Sequence, residues 1–163
     1  MHMSVEDAFF AFHARAENDT PFARVLATQS RGGLVPVESI DYTGSFPFAD
    51  LAYCMPDSPC EVRLTASSSF IPHNSADSGL PAAMFEFEVS NTSRKTCEIG
   101  LAACLSNFVG HGELGARPVS EAASGRGWRG IDMRAENIPE GSNANGSIVL
   151  ACLSDDARVN AGG

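Results

Sequence analysis

The sequence is short of positive charge: 11 lysines and arginines stand against 20 aspartates and glutamates, a net charge of −9. Nucleic acid and anionic membrane both require a basic footprint, so neither is an expected partner. Long apolar runs are also missing. No stretch approaches the roughly 20 residues that span a bilayer, and no signal peptide opens the chain. The five cysteines (Cys54, Cys60, Cys97, Cys104 and Cys152) are odd in number and contain no C-x-x-C pair. Metal-ligand spacing is therefore absent, and neither a metal nor a cofactor is expected. The thiols read as buried, reduced small hydrophobes, with a Cys54–Cys60 bridge as the lesser alternative. The cytosol is the expected compartment. On that reading the sequons at Asn18, Asn91 and Asn145 are chance occurrences in turns.

What is present is a core former. Hydrophobic residues make up 44% of 163 residues, a length at which roughly two-thirds of the unfolded surface is buried on folding. The opening "MHM", residues 1–3, looks like a cloning remnant, and residues 4–163 are expected to form a single domain. Period-two patterns dominate it. Phe85, Phe87 and Val89 alternate with Glu86, Glu88 and Ser90, and after "NTSRK" Cys97, Ile99, Leu101, Ala103 and Leu105 recur at spacing two. Two alternating runs joined by a polar turn predict an antiparallel hairpin.

Seven further stretches read as strands: "AFFAFHARA", "FARVLAT", "VESIDYT", "FADLAYCM", "CEVRLTA", "WRGIDMRA" and "SIVLACL". Helix is the alternative for "AFFAFHARA" and "LAACLSNF", because alanine and leucine favour it. About nine short strands punctuated by Gly, Pro, Asn and Ser predict an all-β antiparallel sandwich. Its expected core holds Val62, Leu64, Phe85, Phe87, Val89, Ile99 and Leu101. The weakly apolar segment Gly110–Gly127 reads as a long loop.

Several constellations invite chemistry. His73, Asp77 and Ser78 in "IPHNSADSGLP" suggest a nucleophile triad, yet no glycine-flanked elbow presents the serine. Asn74, Ser75, Asp77, Ser78 and Gly79 are turn formers, and Pro72 and Pro81 fix both ends, so the stretch is read as a shaped turn. Glu86 and Glu88 lie roughly 6.8 Å apart along one strand face, but they project in parallel instead of flanking a cleft. They read as a solvated face. Trp128, the one tryptophan, offers a small sugar platform with Arg126 and Arg129, or else packs in the core. His111, in "VGHGELG", reads as exposed or as a ligand contact, and those glycines make no nucleotide fingerprint. No residue is assigned a catalytic role.

The pieces "FPFADLAY", "CEVRLTA", "FIPHNSADSGLPAAMFEFEVSNTS" and "EIGLAACLSNFVG" resemble the N-terminal domain of glycoside hydrolase family 116, the family of non-lysosomal glucosylceramidases and microbial β-glucosidases. The likeness runs through residues 8–110 and loosely to "GSIVLACL". Ser69 stands where the family has proline and His73 where it has an apolar residue. The family's glycine-rich opening segment is missing before residue 4. So is its α-helical toroid, which carries the acid and nucleophile carboxylates.

The resemblance implies a non-catalytic fragment of a larger N-terminal domain in a retaining β-glucosidase-type parent. This chain alone is expected to be inactive. It would brace the helical catalytic domain and shape the rim of its sugar site through His73, Asn74, Asp77, His111 and Trp128. Glucosides are candidate ligands, and self-association through an unpaired edge strand is a further expectation. An autonomous carbohydrate-binding or protein-interaction sandwich is the alternative.

Overall fold

A computed structural model describes residues 8–162; the reading of residues 1–3 as a remnant lies outside them. The fold is all-β: among the described residues, ten strands form three antiparallel sheets. The chain divides into two compact units, Phe9–Cys104 and residues 105–162.

The first unit is a sandwich of two sheets. One has the order β2 (Phe22–Val25), β1 (Phe9–Ala16), β7 (Cys97–Cys104), and the other the order β3 (Ser39–Ser45), β4 (Phe48–Cys54), β5 (Cys60–Ser68), β6 (Ala83–Asn91). β5 shows how sequence makes this architecture. Cys60, Val62 and Leu64 are buried while Glu61 and Arg63 are exposed, the alternation that a pleated strand with one wet face requires. Phe12 and Ala14 of β1 meet Tyr53, Val62 and Leu64 in one core cluster. Phe10 extends that contact, its ring 5.1 Å from Phe85 and 5.0 Å from Phe87. Both helix alternatives fall away, since these segments are β1 and β7.

Three expectations are corrected. First, the two alternating runs around "NTSRK" do not form a hairpin with each other: β6 pairs with β5 and β7 with β1. The intervening turn carries the chain from one sheet to the other. Asn91 Oδ1 accepts the Ser93 amide at 2.9 Å, Asn91 Nδ2 donates to Lys95 O at 2.9 Å, and Thr92 Oγ1 donates to Pro59 O at 3.1 Å. Second, Val62 and Leu64 are core residues and Phe87 and Val89 pack against them, but Phe85, Ile99 and Leu101 remain exposed. Ile99 and Leu101 are registered opposite the buried Ala14 and Phe12. They share the core-facing side, yet β6 and β7 are edge strands, and an edge leaves one flank of each side chain uncovered. Third, Cys104 and Cys152 are exposed and Cys97 is half-buried, so Cys60 is the buried thiol. Cys104 and Cys152 sit at the ends of edge strands, where apolar neighbours in sequence give no cover.

The second unit carries a three-stranded sheet of order β10 (Ser147–Cys152), β9 (Trp128–Glu136), β8 (Arg117–Gly125). β8 falls in the segment expected to be a loop. Its nine residues, with Pro118 second and Val119 the one β-branched side chain, have little strand propensity. As an edge strand it tolerates the proline, and continuous register with β9 across the Arg126–Gly127 turn holds it in place. Cross-strand ion pairs of Arg117 with Glu136 and of Arg134 with Glu121 flank it. Met133 of β9 is fully buried beneath the sheet.

Candidate functional site

The residues that invited chemistry gather around two loops, one in each unit. In the first, the segment after β5 makes a single helical turn, α1 (Ser75–Ser78), with Asn74 as its N-cap. Asn74 Oδ1 accepts the Asp77 amide at 3.1 Å, and its Nδ2 donates to Asp77 Oδ2 at 2.6 Å. The first bond satisfies one of the free amides of a helix start, as an N-cap does, and the second ties the two side chains together. Ser78 Oγ accepts from the Ile71 amide at 2.8 Å and donates to Ile71 O at 2.9 Å, while Ser69 Oγ donates to Asp77 O at 2.7 Å. His73 takes the left-handed conformation at φ 64° and is exposed. Among the described residues it has no hydrogen bond to Asp77 or Ser78. A nucleophile needs its hydroxyl free and a base within reach; here the hydroxyl braces a turn and the histidine stands apart.

Apolar side chains surround this loop. Phe46 and Phe70 meet edge to face, centroids 4.9 Å apart at 68°, yet 76% and 48% of their surface stays open to solvent. Phe48 and Met84 are each registered opposite Ser67, which places them together on the outer face of the four-stranded sheet; both are exposed, as are Ile71 and Leu80. Exposed apolar side chains gathered near one loop are the kind of surface through which proteins meet partners. Sequence reasoning missed it, although aromatics beside turn prolines in "SFPF" and "SSFIP" were a usable signal.

In the second unit, the loop between residues 105 and 116 lines an open cleft of about 220 Å³, with Asn107, His111, Glu113 and Pro118 among its residues. Asn107 ties the loop to β8 and β9. Its Nδ2 donates to Arg134 O at 2.9 Å and to Val119 O at 3.0 Å, and its Oδ1 accepts the Val109 amide at 3.0 Å. Gly110 is buried at φ 77°, and a Cβ there would lie 2.7 Å from Ile138 Cδ1 and 2.9 Å from Ala135 Cβ. Glu113 Oε1 accepts from Ser142 Oγ. His111 is exposed at the cleft. Trp128 is half-buried, its indole lying over Gly125 across the β8–β9 turn.

Charged side chains are kept at the surface, for none is buried among the described residues. Arg134, hydrogen-bonded to Glu121 at 2.9 Å, holds that carboxyl below its ordinary range. Glu86 and Glu88 are exposed opposite Thr65 and Arg63. No group of His, Cys, Asp and Glu among the described residues is arranged to hold a metal. No helix of the described residues is long and apolar enough to cross a membrane.

A comparison with curated proteins gave no match. The family model described as beta-glucosidase 2, glycosyl-hydrolase family 116, N-terminal, matches residues 1–162. The chain belongs to the N-terminal domain family of the glycoside hydrolase family 116 β-glucosidases.

Proposed function

We propose that this chain is a non-catalytic scaffold: part of the larger N-terminal domain of a retaining β-glucosidase-type hydrolase, spanning residues 4–163, which braces the helical catalytic domain and contributes loops to the rim of its sugar site. The observation that carries this reading is the apolar patch of Phe46, Phe48, Phe70, Ile71, Leu80 and Met84 beside the hydrogen-bonded loop of Asn74 and Asp77. Burying such a patch contributes about 25 cal/mol per Å² of apolar surface, and a rigid loop next to it delivers His73, Asn74 and Asp77 to a neighbouring domain at little entropic cost. His111 and Trp128 are further rim candidates. A compartment in the cytosol fits the reading.

A second reading, an autonomous sugar-binding module, is favoured by the Phe46–Phe70 pair, since exposed aromatic rings are surfaces on which a sugar face stacks. Co-expression of the chain with the family's helical domain as two polypeptides separates them. Bracing expects the two to copurify and a Phe46→Asp/Phe70→Asp variant to lose the partner while keeping its own circular dichroism. Failure to copurify, together with calorimetric binding of glucosides by the chain alone, would replace the first reading with the second.

A further inference from the structure

We propose that Cys60 and Cys97 are a redox-active pair that closes a disulfide between the two sheets of the sandwich. Cys60 opens β5 in the four-stranded sheet and is 2% exposed, and Cys97 opens β7 in the three-stranded sheet and packs against the same core cluster. Both side chains face that cluster, and both residues adjoin Asn91. The crossing turn creates this meeting. Asn91 is the register partner of Cys60, and its Oδ1 accepts from Cys97 Sγ at 3.4 Å, while Ser93 Oγ lies 3.4 Å from the same sulfur. A single polar turn thereby holds the Cys97 sulfur beside the residue paired with Cys60.

The pairing excludes the neighbour that sequence suggests. Tyr53 is registered opposite Val62 and so shares the inner face with Cys60, which sends Cys54, one residue on, to the outer face. Cys54, Cys104 and Cys152 are exposed.

Chemistry assigns the order of events. Cys97, half-buried and reachable, attacks a low-molecular-weight disulfide such as oxidised glutathione. One glutathione thiolate leaves and a mixed disulfide remains on Cys97. Cys60 then gives up its proton and attacks Cys97 Sγ, expelling the second glutathione. Two protein thiols are oxidised and one glutathione disulfide is reduced to two thiols. Burial, followed by the neighbouring Cys97, pushes the Cys60 thiol up, so the second step is the slow one and quickens with pH. The bond clips the two sheets together at the end where the chain crosses.

The test is to incubate the folded chain with oxidised glutathione, alkylate the remaining thiols, and map proteolytic peptides without reduction. The expected result is a Cys60–Cys97 cross-linked peptide that a reductant separates, with the melting temperature raised by about 5 °C or more over the reduced chain. Cys97→Ser keeps the hydrogen bonds of the turn; it should lose both the cross-link and the rise. Persistent glutathione on Cys97 with Cys60 still free after unfolding would overturn the pairing. So would a Cys54–Cys60 peptide, or the same rise in Cys97→Ser.

Discussion

Ser78 Oγ takes the Ile71 amide at 2.8 Å and returns a hydrogen bond to the Ile71 carbonyl at 2.9 Å, so the hydroxyl that first suggests a nucleophile closes a loop on itself. Asp77 is engaged with Asn74. Retaining glycoside hydrolysis needs two carboxyl groups about 5–5.5 Å apart across the scissile bond, one held protonated by an apolar setting. We expect no hydrolysis of aryl β-glucosides by this chain alone between about pH 4 and 8, the range of ordinary and raised carboxyl pKa values. Turnover that survives purification and vanishes in Asp77→Asn or Glu86→Gln would make the chain an enzyme.

The same loop should fail as a unit. Asn74→Ala removes the N-cap and the contact to Asp77 and should cost about 1 kcal/mol. Hydrogen exchange should quicken at the Asp77 and Ser78 amides while β5 stays protected. Uniform loss of protection would contradict this.

Asn107 and Gly110 carry the second loop. Asn107→Ala strands two carbonyls and one amide, a loss of about 2–3 kcal/mol. Gly110→Ala drives a methyl into Ile138 and Ala135 at a positive φ and should cost at least about 2 kcal/mol. Urea midpoints measure both, and a Gly110→Ala chain as stable as the parent would refute the buried turn.

Core and edge should separate cleanly in mutagenesis. Leu64, 4% exposed, should cost about 2–5 kcal/mol on truncation to alanine. Phe85, 49% exposed and covered by Phe10 on one side, should cost roughly 1–2 kcal/mol despite its larger ring. Equal losses in urea unfolding would mean that something covers the β6 edge.

Tyr53 predicts alkaline behaviour. Burial pushes its hydroxyl up to about 12. The folded value lies above the unfolded one, so the folded chain holds more protons between the two. The contribution is therefore full below about pH 10 and fades as pH rises toward 12, by up to about 2–3 kcal/mol. Tyr53→Phe should flatten that decline in stability measured across the alkaline range; an unchanged decline would assign it to other groups.

Local pattern determined the elements, and tertiary structure determined their partners. The alternation of Cys60, Val62 and Leu64 with Glu61 and Arg63 specifies a half-buried strand by itself, and the stretch around "NSADSG" specifies its own turn because the hydrogen bonds that satisfy it join residues 69–80, all close in sequence. Every strand except β8 was legible in this way from its own stretch of sequence. Pairing was not. "NTSRK" has the composition of a hairpin turn, but whether the next strand folds back on its neighbour or crosses to another sheet depends on the distant strand that pairs with it, here β1 with β7. Register with a distant strand also made β8 out of residues with little propensity, and position at a sheet edge left Phe85, Ile99 and Leu101 uncovered. The aromatic patch and the Cys60–Cys97 meeting have the same origin: each joins residues that only the packed sheets bring together, through contacts whose geometry no local stretch encodes.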